Sequence, residues 1–210
     1  NYRLVFILKR KRRKCMPEAE DALKFWQEVE MAEEYFLSPQ AQMFIIENAI
    51  RDLNMPKTST IYEFGCGMGR NLNHLKTVFP DMTFIGIDCN KRSIEIAKEH
   101  FSNIEFRLGS LEHLRPSGVI FTVSVLSHVP DPIKYLNQFM ENTDNIILLE
   151  LRLPKFGKVN DPNIINYSYS HDYEYLLESW IRPALKYKHE SVSLAKHNFL
   201  DKCELWTIQC

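Results

Sequence analysis

Between residues 60 and 151 the chain alternates between two spacings of apolar residues. Short runs rich in β-formers alternate with longer stretches whose apolar positions recur every three or four residues. Strands are predicted near 60–64, 83–87, 104–108, 119–124 and 145–151, and helices over 70–79, 91–100 and 132–141. Only Glu112 to Ser117 separate the third and fourth strands, room for a turn or two of helix. Strands and helices in such alternation predict a parallel sheet with helices on both faces, an α/β fold. Ahead of it, residues 18–36 carry Ala22, Phe25, Trp26, Val29, Ala32 and Phe36 on one helical face. Ser38 and Pro39 then open a second helix, which runs to about Leu53 and is broken by Asn54-Met-Pro-Lys57. After 151 the pattern changes. A long aromatic-rich loop covers 156–170, and Ser170 caps a helix from His171 to about Ile181. Two alternating runs, Leu185 to Val192 and Cys203 to Gln209, predict a hairpin that adds an antiparallel edge.

Chemistry enters at the end of the first strand. Ile61-Tyr-Glu-Phe-Gly-Cys-Gly-Met-Gly-Arg-Asn71 reads as strand, glycine-rich turn and helix start. Gly65, Gly67 and Gly69 let the backbone approach a ligand, and the helix offers it unpaired N–H groups. Such a turn suits a nucleotide-like cofactor. A dinucleotide fold wants G-x-G-x-x-G, but Arg70 stands where the third glycine would fall. That makes a nicotinamide-dependent oxidoreductase improbable. Asp88 closes the second strand, where an acid either accepts hydrogen bonds from both ribose hydroxyls or caps the helix begun near Lys91.

The G-x-G-x-G spacing, with Glu63 two residues ahead of it, resembles motif I of the class I S-adenosylmethionine-dependent methyltransferases. Gly109-Ser110-Leu111 is similar to the family's adenine-contacting turn, and Val119 to Pro132 to its fourth-strand motif, which faces the methionine end of the cofactor. Together with Asp88 these segments cover roughly residues 55–151. The resemblance implies a Rossmann-like methyltransferase fold: a seven-stranded, mostly parallel sheet with an antiparallel C-terminal hairpin strand. It implies S-adenosylmethionine as cofactor and S-adenosylhomocysteine as product. Glu63 would organise the turn through backbone N–H groups. Gly65, Cys66, Gly67 and Gly69 would pass the methionine moiety. Arg70 or Asn71 would meet its carboxylate, and Ser124 and Val125 would offer carbonyls to its ammonium. Asp88, Cys89 and Asn90 would line the ribose and adenine side, and Gly109, Ser110 and Leu111 the adenine. His128 is the histidine this order brings near the transferred methyl, a candidate base when the acceptor arrives protonated. His74 would lie one turn too far away. Tyr167, Tyr169, His171 and Asp172 either meet substrate or pack a loop. Trp26, Tyr35 and Phe36 form either a lid or plain core. The sequence departs from the family at Ser110, where an Asp is common, and at Ser117 and Gly118, where many members carry an Asp. Ser124-Val-Leu-Ser127 replaces the Asn-Pro-Pro-Tyr of amino-methylating DNA and protein enzymes.

Composition narrows the picture. The 210 residues are 45% hydrophobic and 25% charged, as in globular proteins, with a net charge of −1. No global field therefore favours nucleic acid or an anionic membrane. Cys15, Cys66, Cys89, Cys203 and Cys210 form no C-x-x-C pair, which argues against a disulfide framework or zinc site and makes the cytoplasm the expected location. The basic run Lys9 to Lys14 follows the apolar Leu4 to Leu8, the reverse of a secretory signal. It is a solvated arm or a weak membrane-surface or nucleic-acid tether. The domain reading is a basic arm over 1–17 and one methyltransferase domain over 18–210. That domain divides into leading helices (18–54), cofactor core (55–151) and substrate-side loop, helix and hairpin (152–210). The expected activity is methyl transfer to an O or N atom of a small-molecule acceptor, without nucleic acid. Alternatives are a non-catalytic binding module of the same fold, or an RNA methyltransferase using the basic arm. Oligomeric state stays open.

Overall fold

The computed structural model describes residues 19–30, 43–129, 131–151, 193–200 and 203–209. Five strands are parallel: β1 (Thr60–Phe64), β2 (Thr83–Asp88), β3 (Glu105–Leu108), β4 (Val119–Val123) and β5 (Asn145–Leu151). With β6 (Ser193–Leu200) and β7 (Cys203–Gln209) they make one seven-stranded sheet, in the order β3-β2-β1-β4-β5-β7-β6. The described helices are α1 (Ala19–Glu28), α2 (Met43–Asp52), α3 (Arg70–Val78), α4 (Lys91–His100) and α5 (Pro132–Met140). Short 3-10 turns cover Leu111–His113 and Leu126–His128.

Side-chain alternation splits the core in two. Ile61, Phe121, Val123, Ile147 and Leu149 pack with α2, α3 and α4 through Ile46, Ile50, Leu72, Leu75, Ile94 and Ala97. Tyr62, Phe64, Ile120, Ile146 and Leu148 pack on the other face with Leu136 and Phe139 of α5. Both faces of the central strands are thus covered, which is why those strands read as nearly unbroken apolar runs. Phe121 and Phe139 are fully buried, each contributing about 1.5–3 kcal/mol of hydrophobic stabilisation. Local signals fix the helix starts. The Asn90 side chain caps α4 by accepting from the Ser93 N–H (2.9 Å), and Asp131 with Pro132 opens α5.

Two expectations are corrected. The leading helix does not run over 18–36 but stops at Glu28. The Asn90 amide donates to the carbonyls of Trp26 (3.0 Å) and Val29 (2.8 Å), so these are diverted from carrying the helix forward. The strand beside β7 is Ser193–Leu200, not Leu185 to Val192. It forms the sheet edge, where one flank lacks a partner strand in the described sheet and apolar alternation is a poor guide. The inserted antiparallel strand itself is as expected: β7 runs antiparallel to both β5 and β6. The basic arm 1–17, the Ser38–Pro39 start, Tyr35, Phe36, the loop 156–170, the helix 171–181 and the run 185–192 lie outside the described residues.

Candidate functional site

Chain order along the sheet reverses between β1 and β4, so their carboxyl ends diverge and leave a crevice, the place where α/β sheets bind ligands. Two loops border it: the glycine turn after β1, and the segment Ser124–His128 after β4. They touch, because a Cβ on Gly65 would lie 2.3 Å from Val125 Cγ2. Gly65 has φ +77°, and Gly67 has φ +53°. Both conformations favour glycine, for different reasons: Gly65 makes room for Val125, whereas Gly67 has nothing among the described residues within 4 Å of where a side chain would begin. The open backbone of Gly67 is a surface a ligand can reach. Gly69 and Gly109 are held by sterics within the protein, since the Phe106 ring and the His113 ring occupy their Cβ positions. Gly69 stands at the amino end of α3 and supplies no side-chain cap there.

A carboxylate ends each of three strands around the crevice. Glu63 of β1 is fully buried and accepts from Asn71 Nδ2 at 2.6 Å. Glu63 Oε2 and Asn71 Oδ1 are both buried without a hydrogen-bond partner. Burial pushes the Glu63 carboxyl up to about 8, against the opposing pull of the Asn71 hydrogen bond. The partner of Glu63 is therefore a side chain, not the backbone N–H groups expected. Because Asn71 turns its nitrogen to Glu63, its free atom is an acceptor, suited to an ammonium and not to a carboxylate.

Asp88 of β2 accepts from the Gly67 N–H at 2.7 Å and from the Asn90 N–H at 2.8 Å, one on each oxygen. Its own carbonyl accepts from the Gly109 N–H at 2.9 Å. Asp88 thus joins the glycine turn, the start of α4 and the turn after β3. It is not the cap of α4, a role Asn90 fills. Each of its oxygens retains a lone pair for a further donor such as a ribose hydroxyl. Burial raises its pKa above the usual carboxylate range.

Glu150 of β5, which the sequence reading passed over, is also fully buried. It accepts from Thr122 Oγ1 (2.9 Å) and from the N–H groups of Val125 (3.2 Å), Leu126 (3.1 Å) and Ser127 (3.3 Å). Burial lifts its carboxyl to about 7, with those four donors pulling the other way. One signal could have found it: an acid near the end of the apolar run Ile146-Ile-Leu-Leu-Glu-Leu151 repeats the placement of Glu63 and Asp88.

The remaining candidates sort clearly. Cys66 is buried, packs against the Gly86 backbone, and burial pushes its thiol well above the usual range, so it fills space and does not react. Cys89 is half-buried, with its thiol pushed up to about 12. Ser110 donates its N–H to Glu112 at 2.9 Å, and Leu111 opens the 3-10 turn beside it. Ser124 adopts a left-handed φ of +56°, uncommon for a non-glycine residue and found where loops are held for function. His128 closes the second 3-10 turn and lies against Trp26, with ring centroids 4.3 Å apart. His74 is paired with Glu47 of α2, away from the crevice.

A profile of the family described as a methyltransferase domain matches residues 57–203. The chain is 26% identical over 106 residues to trans-aconitate 2-methyltransferase of Rhodopseudomonas palustris strain HaA2, covering 49% of this chain and 41% of that protein. It therefore spans about two fifths of the length of that curated relative. Among solved structures, an S-adenosylmethionine-dependent methyltransferase from Aquifex aeolicus superposes with a TM-score of 0.60 at 14% identity, covering 86% of this chain and all of that one (100%). The plantazolicin methyltransferase BpumL, solved with S-adenosylhomocysteine, gives 0.62 at 16% identity, covering 90% and 98%.

Proposed function

This chain belongs to the methyltransferase domain family, and on that premise we propose that it transfers a methyl group from S-adenosylmethionine to an O or N atom of a small-molecule acceptor. One observation carries the reading. With Glu63 ionised, Glu63 Oε2 and Asn71 Oδ1 are two buried acceptor oxygens without a partner among the described residues. Buried polar atoms are rarely left unpaired, and a pair of acceptors calls for a donor such as an ammonium.

The residues fit this cofactor. Glu63 and Asn71 would hold its amine end, Asp88 its ribose, and the turn Gly109–Leu111 would border its adenine. Bound there, S-adenosylmethionine supplies an electrophilic methyl group on a cationic sulfur. The protein's part is alignment and exclusion of water. The Ser124–His128 loop closes one side of the crevice, and Trp26 of α1 covers His128. His128 takes the proton from an acceptor hydroxyl or amine, since a neutral imidazole accepts a proton near neutral pH. The acceptor named for the Rhodopseudomonas relative, trans-aconitate, is a small acid, which supports a metabolite-sized substrate.

Thermal unfolding with S-adenosylmethionine, S-adenosylhomocysteine and NAD tests the cofactor. A ligand at 100 times its dissociation constant stabilises by about 2.7 kcal/mol. Both sulfur nucleosides should stabilise the protein, NAD should not, and Asp88→Ala should abolish the effect. A shift with NAD alone, or with none of the three, would sink the proposal. Incubation with methyl-labelled cofactor and a panel of small acids, alcohols and amines then identifies the acceptor.

A further inference from the structure

The loop after β4 has no sequence motif that explains its shape, and Ser124 sits there at φ +56°. Its conformation is imposed from outside. Glu150, one strand away, gathers the N–H groups of three successive residues, Val125, Leu126 and Ser127, and the Thr122 hydroxyl. These are the orphan donors at the start of the Leu126–His128 turn, and a buried carboxylate satisfies them all. In a trans peptide the N–H and C=O point in opposite directions. Holding the Val125 N–H toward Glu150 therefore turns the Ser124 carbonyl the other way. The Val125 carbonyl accepts from the His128 N–H at 2.8 Å, which closes the turn that presents the His128 ring to Trp26.

Resting on the methyltransferase reading above, we propose that Glu150 is a positioning residue. By fixing the Ser124–His128 loop it aims the Ser124 carbonyl at the cationic end of the cofactor and sets His128 beside the reacting centre. It touches neither cofactor nor acceptor itself. Among its ligands are one hydroxyl and three amides, all neutral. Titratable groups on the adjoining elements are His128 on the turn, Glu47, Arg51 and Asp52 on α2, Asp131, Lys134 and Glu141 about α5, and Glu204 opposite it in the β5–β7 register. The four hydrogen bonds to Glu150 come from the Thr122 hydroxyl and the amides of Val125, Leu126 and Ser127.

The test uses the isotope-labelled full chain. In wild-type protein the amide resonances of Val125, Leu126 and Ser127 should move together through one midpoint as pH is varied. In Glu150→Gln that movement should vanish while unfolding stays cooperative. The dissociation constant for S-adenosylhomocysteine should rise about tenfold, the equivalent of one lost hydrogen bond to a charged group. Amides that titrate alike in both proteins, or a Glu150→Gln variant with wild-type affinity, overturn the proposal. Should Glu150→Gln fail to fold, Thr122→Val removes a single donor. It should shift the midpoint upward, and an unmoved midpoint counts against the clamp. If wild-type protein binds no S-adenosylhomocysteine, the methyltransferase reading fails and takes the cofactor half of this inference with it. The amide titration still decides whether Glu150 holds the loop.

Discussion

Glu63 and Glu150 lie on opposite faces of the same sheet, and each anchors one wall of the same crevice. Glu63 holds the first turn of α3 through Asn71, while Glu150 holds the loop after β4 through its amides. Both carboxyls are fully buried and lifted, to about 8 and about 7, from an ordinary 4.5.

That elevation fixes the sign of a pH effect. Between about 4.5 and these raised values the folded protein holds protons that the unfolded chain has released. Stability of the ligand-free protein should therefore fall as pH rises from about 5 to about 8, by up to about 1.4 kcal/mol per pH unit for each group. Glu63→Gln should flatten its share of the slope. Denaturant titrations across this range check both statements, and stability that rises over the window would contradict them.

A cationic ligand beside Glu63 favours the carboxylate. Binding below about pH 8 should then release a proton. Calorimetry of S-adenosylhomocysteine, whose amine is cationic at these pH values, should give heats that differ between buffers of unlike ionisation enthalpy. The difference should shrink in Glu63→Gln.

Gly65 and Gly67 should respond differently to alanine. Gly67→Ala meets no neighbour among the described residues and costs the left-handed backbone, about 1–2 kcal/mol, so it should fold yet lose cofactor affinity. Gly65→Ala adds a collision with the Val125 side chain and should cost more. Val125→Ala should partly rescue it. A double-mutant cycle of melting temperatures reads the coupling, and strict additivity would refute the steric account.

Asn90 does three things with one amide: it caps α4 and holds two carbonyls at the end of α1. Asn90→Ala should cost about 2–4 kcal/mol, a cap of about 1 plus two hydrogen bonds of about 1 each. It should also open the 19–30 segment to proteases. Asn90→Asp keeps the cap but not the donors. It should therefore recover only the cap's share, about 1 kcal/mol, while showing the same early cleavage.

The Trp26 indole N–H is buried without a partner, so Trp26→Phe loses ring area but no hydrogen bond. It should preserve activity better than Trp26→Ala, which removes the ring against His128 and should slow turnover by about 10- to 100-fold through misplacement. His128→Ala should cost about 10²–10⁴-fold if His128 is the base. Turnover rates on the identified acceptor decide it.

Much of this was legible in the sequence because local and tertiary signals agree there. The strands at 60–64 and 145–151, the helix 91–100 and the inserted β7 follow from buried apolar runs bounded by caps and turns. Gly65 and Asp88 announced the crevice. What stayed hidden depends on partners distant in the chain. Glu150 meets donors more than twenty residues away, and the apolar spacing up to Phe36 gives no hint that an amide from residue 90 would divert the α1 carbonyls. The edge strand was misplaced because Ser193-Leu-Ala-Lys-His-Asn-Phe-Leu200 shows no regular apolar alternation.

The position of β7 has a consequence for the order in which the chain acquires its structure. It lies between β5 and β6, with Asn145 paired to Gln209 and Ile208 buried in the core. Until residues 203–209 are available, β5 is paired only on its β4 side, and β6 lacks the strand it pairs with. A nascent chain on the ribosome must therefore carry an unpaired β5 edge until that segment emerges. Such an edge is open to pairing with other chains, so synthesis of β7 closes an interval in which the β5 edge is exposed to aggregation.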